Sequence, residues 1–172
     1  DECFLDFAAG REALTAKAFL QEYPNLILIK AFTKLYAMAG VRLGYALCGD
    51  TALLEKMRTA GQPWAVSALA QAAGTAALDE AAYADAVRAL VAQQRPVLTS
   101  GLRALGLRVI EGSANFLLFC APADLGQKLR QRGAVVRSCG NYPGLDDTWY
   151  RTAVRTEAEN RQLLRLMKEV LE

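Results

Sequence analysis

Hydrophobic positions in the first half of the chain alternate between short apolar runs and longer periodic stretches. The run over residues 26–34, bounded upstream by Pro24, predicts a buried strand that delivers Thr33 and Lys34 to its carboxyl end. A second strand is predicted over residues 43–48. Helices are predicted over residues 11–22, 51–59 and 67–78. This alternation is typical of an α/β fold in which helices cover a parallel sheet.

The second half of the chain carries a different pattern. Its long helical stretch over residues 81–105 is interrupted by Pro96, which should kink the helix or begin a new one. The predicted order then becomes β-β-α-β-β-α, with strands over 107–110, 115–120, 134–137 and 150–154, and helices over 124–132 and 157–171. We therefore expect two domains. Residues 1–85 would belong to a large α/β domain, and residues 86–172 would form a connecting helix and a small α+β domain.

Composition narrows the possible functions. The chain has 172 residues, 53% hydrophobic and 22% charged, and its net charge of +2 leaves no basic face for nucleic acid or membrane. No signal peptide and no apolar run of transmembrane length is found. No metal is expected, and the absence of histidine excludes a Ser-His or Cys-His nucleophile. Buried free thiols, which favour the reducing cytoplasm, are expected at Cys3, Cys48, Cys120 and Cys139.

Lys34 is the first candidate for chemistry, because ligands of open α/β sheets bind at the carboxyl ends of strands. A lysine beside an apolar run either extends its amine into solvent or is desolvated and becomes a nucleophile. Arg42 lies in an otherwise apolar segment, between Gly40 and Gly44. If it is buried, its guanidinium needs an anion, and its planar fork suits a phosphate. Thr33 adds a hydroxyl beside the same site.

Thr33 and Lys34, together with the segment Ala-Gly-Val-Arg-Leu-Gly-Tyr over residues 39–45, resemble the lysine motif of fold-type I pyridoxal-phosphate enzymes, the aspartate aminotransferase superfamily. The resemblance implies that Lys34 binds the cofactor covalently and that Arg42 holds its phosphate, with Thr33 nearby. One departure is visible. Ala31 occupies a position that is commonly Ser or Thr in these enzymes, so one phosphate hydroxyl is missing.

The first residues extend this resemblance. Residues 1–7 look like the end of a strand whose beginning is missing, and they match a family segment that closes the strand before the lysine strand. By resemblance, Asp1 pairs with the pyridine nitrogen of the cofactor, whereas taken alone it would be a solvated terminal residue. Phe4 stands where many aminotransferases have a tyrosine, and a phenyl ring cannot donate that hydrogen bond.

Arginines dominate the polar positions near the end of the chain. On the strand over residues 150–154 and its extension, alternation places Arg151 and Arg155 on one face. Arg137 ends the preceding strand. Without further context, these side chains are better explained as solvated charges that protect an edge strand from aggregation.

A narrower resemblance gives these residues a role. The segment 137–146, the Tyr-Arg-Thr-Ala-Val-Arg strand and the following Glu-Asn resemble the carboxyl-terminal signature of the L-threonine-O-3-phosphate decarboxylases, which are related to the histidinol-phosphate aminotransferases. By resemblance, Arg151 binds the substrate carboxylate, Arg137 contacts substrate, and Asn115 lies in a loop near it. As a loop residue, Asn115 could equally form a turn.

The segment over residues 62–70 follows the same family pattern, with Ala65 and Ser67 as departures. Trp64 lies in this segment. A tryptophan could bind a ligand, but at the start of an apolar helix we expect it to lie in the core.

The resembling enzymes are roughly twice as long as this chain, so we expect it to be the carboxyl-terminal half of a larger, homodimeric, cytoplasmic enzyme, and the fragment alone to be inactive. The predicted reaction is the pyridoxal-phosphate-dependent decarboxylation of L-threonine O-3-phosphate. One alternative is an aminotransferase of the histidinol-phosphate type. The other is a non-catalytic interaction module whose arginines bind a protein partner.

Overall fold

The computed structural model describes all 172 residues, and these form two compact units, Asp1–Val87 and Arg88–Glu172. Each unit has its own sheet. The predicted division between residues 85 and 86 stays a proposal about domains, because compactness alone does not define independent folding. None of the helices combines the length and apolar character needed to cross a bilayer.

The first unit contains one small sheet and several helices. Its strands are β1 (Ile27–Ala31) and β2 (Gly44–Cys48). Its α-helices are α1 (Arg11–Leu14), α2 (Phe32–Leu35), α3 (Thr51–Ala60) and α4 (Ala68–Leu78), and it also has 3-10 helices at Leu5–Phe7, Ala16–Phe19 and Ala39–Val41. Helix α5 (Ala81–Ala104) begins in this unit and continues into the second.

The sheet of the first unit is antiparallel, and the prediction of a parallel sheet is wrong for these strands. Ile27 of β1 pairs with Cys48 of β2, and Ala31 pairs with Gly44. Residues 32–43 connect the two strands through a single helical turn and one 3-10 turn. The crossover between two parallel strands usually contains a full helix that runs back along the sheet, and this connection has only short turns, which suit a reversal of the chain.

Two expectations for the amino-terminal residues are also wrong. Residues 1–7 form a turn and a 3-10 helix instead of a strand, and one backbone bond, from Glu2 N to Ile29 O at 2.9 Å, joins them to β1. The helix predicted over 11–22 breaks at Thr15. There the Glu2 carboxylate accepts hydrogen bonds from the Thr15 hydroxyl and from Ala16 N. Competition for local donors of this kind favours a cap over a continuing helix.

Helices α3 and α4 confirm their predictions, and each begins after a residue whose side chain caps it. The Asp50 carboxylate accepts from the first free amide groups of α3, and the Ser67 hydroxyl does the same for α4. Trp64, however, is 96% exposed, so its assignment to the core is wrong. It adopts φ 60°, a left-handed conformation that is rare for a bulky residue, in the turn between the two helices.

Helix α5 continues through Pro96 as one element, so no new helix begins there. The lost backbone bond is offset by burial, because Val91, Leu98 and Leu102 are at most 2% exposed.

The second unit is a four-stranded antiparallel sheet covered by helices. Its order is β3-β4-β6-β5, with strands β3 (Arg108–Ile110), β4 (Phe116–Cys120), β5 (Arg137–Ser138) and β6 (Trp149–Ala153). The helices are α6 (Leu125–Gln131) and α7 (Glu157–Leu171). The predicted β-β-α-β-β-α order is confirmed. Strand β5 begins three residues later than expected, because the amide of Ala134 bonds to Leu129 O in the turn that ends α6.

The sheet of this unit has one buried face and one open face. Leu117, Phe119, Tyr150 and Thr152 are at most 6% exposed and form the core with the helices. The alternate positions of the same strands form what we call the open face, whose members are Arg108, Ile110, Phe116, Leu118, Cys120, Arg137, Trp149, Arg151 and Ala153. The period of two therefore separates the core from a surface that is available for binding.

All four cysteines are free. Only Cys139 is buried, at 2% exposure, and the other three are partly exposed, so the expectation of buried thiols holds for one of them.

Candidate active site

Lys34 lies on the outer side of α2, the single turn that follows β1. Phe32 and Leu35 anchor this turn in the core, at 6% and 3% exposure, so the residues between them face outward. The Lys34 side chain is exposed, and its Nζ lies 4.9 Å from the centroid of the Phe4 ring. A cation–π contact holds the amine without consuming its donors in an ion pair. Lys34 therefore presents an exposed amine beside the Phe4 ring.

The strand register joins the segments that carry Thr33 and Arg42 as far as Phe32 and Leu43. Ala31 pairs with Gly44, and the Phe32 amide donates to Leu43 O at 3.2 Å, after which Thr33 lies in α2 and Arg42 follows the 3-10 helix Ala39–Val41. The contact is close at Gly44, where a Cβ atom would lie 2.9 Å from the Lys30 carbonyl oxygen. Only glycine fits such an approach without a shift of backbone.

Arg42 adopts a strained backbone conformation, with φ 58° and ψ 47°. For a residue with a Cβ atom this left-handed geometry costs about 1–2 kcal/mol. The guanidinium donates one hydrogen bond, from Nη1 to Ala39 O at 3.0 Å, and the side chain is otherwise exposed. Strain of this kind is typical of functional positions, and here it occurs at a residue whose guanidinium is exposed.

Asp1 lies on the segment that adjoins β1. Its carboxylate accepts a hydrogen bond from Cys3 N at 2.8 Å, and the neighbouring Glu2 amide bonds to β1. The same short segment carries Phe4 to Lys34. The structure thus joins this segment to the lysine turn through Phe4, whereas no contact joins Asp1 to Lys34 or Arg42.

A charged network behind this segment escaped the sequence analysis. Lys30 Nζ lies 2.8 Å from Asp6 Oδ1 and 3.7 Å from Glu2 Oε2, and the three side chains are 11–26% exposed. Burial lowers the pKa of Lys30, but the hydrogen bond and charge of Asp6 outweigh it, so the pKa is raised. Burial likewise raises the pKa of Tyr45, against the opposing effect of Lys30. A lysine inside an apolar strand, with three acids in residues 1–7, was the available signal.

In the second unit, Arg137 and Arg151 are direct cross-strand partners on the open face. Each guanidinium contacts an aromatic ring instead of a carboxylate: Arg151 lies 4.8 Å from the Phe116 centroid, and Arg137 lies 5.6 Å from the Tyr142 centroid. Like charges directly opposite each other destabilise a strand pair. Such a pair is therefore suited to a ligand that brings compensating negative charge.

Asn115 immediately precedes β4. Its backbone carbonyl accepts from Val154 N at 2.8 Å, which ties the loop to the end of β6. Its side-chain Oδ1 is buried and has no hydrogen-bond partner. An orphaned buried acceptor is uncommon in a folded protein.

Arg155 does not share the open face with Arg151, and the prediction that the two project together is wrong. Strand β6 ends at Ala153, and Arg155 Nη2 pairs with Glu159 Oε1 at 2.6 Å. The side chain is thus committed to the start of α7, where it lies opposite an acid four residues along the chain.

The residues of the first unit fit pyridoxal phosphate, the cofactor that the resemblance implies. The exposed amine of Lys34 suits its aldehyde, and the exposed guanidinium of Arg42 suits its phosphate. The exposed carboxylate of Asp1 suits its pyridine nitrogen. The strained, largely unpaired Arg42 is the observation that this fit explains best.

Comparisons with known proteins place the chain in a family. The model of the family described as aminotransferase class I and II matches residues 1–166. Threonine-phosphate decarboxylase of Salmonella typhimurium is 36% identical over 175 residues, covering 99% of this chain and 48% of that protein. Histidinol-phosphate aminotransferase of Symbiobacterium thermophilum is 36% identical over 174 residues, covering 99% of this chain and 47% of that protein.

Solved structures show the same fold. Histidinol-phosphate aminotransferase from Clostridium acetobutylicum superposes with a TM-score of 0.92 at 29% identity, covering 99% of this chain and 53% of that one. The enzyme of the same name from Sinorhizobium meliloti, solved in complex with pyridoxal-5'-phosphate, gives a TM-score of 0.86 at 25% identity, covering 99% and 47%. The chain therefore spans about half the length of the curated relatives it matches.

Proposed function

Because this chain belongs to the class I and II aminotransferase family, whose enzymes use pyridoxal phosphate, we propose that it supplies cofactor-binding and substrate-binding residues to a decarboxylase of L-threonine O-3-phosphate. The whole protein would release CO₂ and form 1-aminopropan-2-yl phosphate. The single observation that carries the proposal is the cross-strand pair Arg137 and Arg151, two cations without a carboxylate partner.

Four residues of the first unit would hold the cofactor. Lys34 would bind it covalently through its amine, and Arg42 and Thr33 would donate hydrogen bonds to its phosphate. The Asp1 carboxylate would keep the proton on its pyridine nitrogen. When bound, pyridoxal phosphate withdraws electrons from the substrate Cα, which weakens the bonds to that atom.

The arginines of the second unit would select a substrate with two anionic groups. L-threonine O-3-phosphate carries a carboxylate and a phosphate, one for each guanidinium. Arg151 would bind the carboxylate and Arg137 the phosphate, and a hydrogen bond to a charged group contributes about 1.5–3 kcal/mol. Asn115 would accept a hydrogen bond from the substrate through its orphaned Oδ1.

The second candidate is an aminotransferase that acts on histidinol phosphate. Similarity does not separate the two, because the decarboxylase and the aminotransferase relatives are both 36% identical to this chain. Three features support the decarboxylase, namely the loop signature over residues 137–146, the Pro63-Trp64 segment and Phe4. The angle at which Arg151 and its neighbours hold the carboxylate would decide which Cα bond breaks.

The deciding experiment incubates the full-length enzyme with L-threonine O-3-phosphate, and separately with histidinol phosphate and 2-oxoglutarate, while CO₂ and glutamate are followed. Release of CO₂ without glutamate supports the decarboxylase, and glutamate without CO₂ supports the aminotransferase. If neither product forms, a non-catalytic interaction module is the remaining reading. Arg151→Ala should abolish most activity, whereas the matched change Arg155→Ala should not, because Arg155 is committed to Glu159.

We also propose a cytoplasmic homodimer. Free thiols support a reducing compartment. Trp64 and Leu69 support a protein interface, because they are 96% and 83% exposed at one end of the alanine-rich helix α4. Sedimentation of the full-length enzyme tests the proposal. A monomer at micromolar concentration would contradict it.

A further inference from the structure

The open face of the second unit combines arginines with aromatic rings in a regular way. Arg108, Arg137 and Arg151 each lie within 6 Å of a ring centroid, on Trp149, Tyr142 and Phe116 respectively. By contrast, the arginines of α7 pair with acids, Arg161 with Glu157 and Arg165 with Glu169. Arginines on the sheet therefore contact aromatic rings, whereas arginines on α7 form ion pairs.

We propose that Phe116 and Tyr142 are positioning residues, whose rings hold the guanidinium groups of Arg151 and Arg137 ready for a dianionic substrate. The inference rests on the proposed function of the two arginines and adds the residues that orient them. The inference also gives a role to Tyr142, whose side chain is 41% exposed and contributes little to the core.

The contact between Arg151 and Phe116 follows from the register of β4 and β6. Arg151 pairs with Leu118, and Phe116 pairs with Ala153, so Phe116 is the diagonal neighbour of Arg151 on the open face. Diagonal neighbours lie about 7–8 Å apart between backbones, which long and aromatic side chains can span. The ring therefore supports the guanidinium from a rigid element.

The contact between Arg137 and Tyr142 depends on a short, hydrogen-bonded loop. The Tyr142 amide donates to Cys139 O at 3.0 Å, and the Cys139 amide donates to Trp149 O at 2.8 Å. Cys139 itself is 2% exposed, so the base of the loop is anchored in the core. The ring is thereby held over the neighbouring strand end, 5.6 Å from the Arg137 carbon Cζ.

An aromatic ring is a better partner than a carboxylate for an arginine that must bind an anion. The ring attracts the cation through its face and leaves the N–H donors at the guanidinium edge free. A carboxylate would occupy these donors, and the substrate would have to displace it. The two rings thus restrict the side-chain rotamers of the arginines before binding, and less conformational entropy is lost when substrate binds.

The test compares Tyr142→Leu, Tyr142→Phe and Phe116→Leu in the full-length enzyme. Because a cation–π contact at an exposed site is weak, Tyr142→Leu should raise KM for L-threonine O-3-phosphate about 3- to 5-fold and leave kcat within about twofold. Tyr142→Phe should behave as the parent enzyme, since it keeps the ring. Tyr83→Leu is the control, because Tyr83 is 42% exposed and contacts none of these arginines.

A second readout does not depend on the reaction. Binding of inorganic phosphate is followed through the NMR signals of the arginine Nε–H groups, and Tyr142→Leu should weaken it by a similar factor. The proposal is overturned if Tyr142→Leu binds phosphate and substrate as tightly as the parent enzyme, or if Tyr142→Phe is impaired as much as Tyr142→Leu. Arg137→Ala distinguishes failure of the proposed function from failure of this inference. If the Arg137→Ala variant binds phosphate as tightly as the parent enzyme, Arg137 does not bind the substrate phosphate, and the proposed function fails.

Discussion

Replacing Lys30 by methionine tests the charged network behind the candidate cofactor site. Methionine keeps an unbranched stem of similar length in β1 but removes the ammonium group. Asp6 then loses the partner whose Nζ lies 2.8 Å away, in a site where its side chain is 26% exposed. Glu2 keeps its hydrogen bonds from Thr15 and Ala16, so its carboxylate is less affected.

The expected loss of stability lies between two limits. Exposed ion pairs contribute about 0–1 kcal/mol, and removing one partner of a buried pair costs about 3–5 kcal/mol. The Lys30 side chain is 15% exposed and lies near two carboxylates, so the cost of removing it should be closer to the value for a buried pair. Solvent at Asp6, which is 26% exposed, screens part of the interaction and reduces that cost. We expect Lys30→Met to lower the free energy of unfolding by about 2 kcal/mol.

Urea unfolding followed by circular dichroism measures this loss. With a slope of about 2 kcal/mol per molar, the midpoint should fall by about 1 M. Lys56→Met, a change at an exposed position of α3, is the control and should alter the stability by less than about 0.5 kcal/mol. Adding Asp6→Asn to Lys30→Met should restore about 1 kcal/mol, because it removes the carboxylate that has lost its ammonium partner.

The pH dependence gives a second check with a definite sign. The pKa of Lys30 is raised above its ordinary value of 10.5, so its contribution is fully present below that pH and is lost as the pH rises through the higher folded value. The difference between the parent chain and Lys30→Met should be constant from neutral pH to about pH 9 and shrink above pH 10.5. Equal midpoints at neutral pH would refute the assignment of a stabilising network.

Three further changes probe the site and the two units. Arg42→Ala in the full-length enzyme should weaken pyridoxal phosphate by about 1.5–3 kcal/mol in a spectrophotometric titration, and unchanged affinity would argue against a phosphate contact. Asp50→Ala should lower the free energy of unfolding by about 1 kcal/mol through loss of the α3 cap, whereas a neutral result would mean that water replaces it. Asn160→Ala should cost about 2–3 kcal/mol by thermal unfolding, because the buried amide bonds both backbone groups of Arg155; a loss below 1 kcal/mol would contradict this.

The helices that the sequence predicted well are those stabilised by interactions between residues close together along the chain. Helix α7 covers the predicted residues 157–171, since it has an amphipathic repeat and a capping box between Thr156 and Glu159. Helices α3 and α4 likewise begin after Asp50 and Ser67. Capping residues and the hydrophobic repeat of a helix involve residues within one or two turns of each other. They can therefore be recognised in a single sequence.

The candidate site residues were identified from sequence motifs, and the structure adds the contacts that position their side chains. Lys34 and Arg42 could be named from the order of their neighbours along the chain. Their geometry, with an aromatic ring against the amine and a left-handed backbone at Arg42, depends on how the chain packs. No pattern within residues 26–45 contains the position of Phe4, which reaches Lys34 only because its segment is bonded to β1.

Tertiary packing alone decided the direction of the strands, the exposure of Trp64 and the partners of the charged side chains. The pattern of hydrophobic residues indicates a strand, but the pattern is the same whether the neighbouring strand is parallel or antiparallel. The relative direction of β1 and β2 could therefore not be predicted from their sequences. The ion pair of Lys30 with Asp6 and the contact of Arg151 with the Phe116 ring likewise join residues that are distant along the chain. Local sequence determines which elements form, because their interactions are local. Which surfaces and charges meet is a property of the packed chain, because it depends on contacts between residues far apart in sequence.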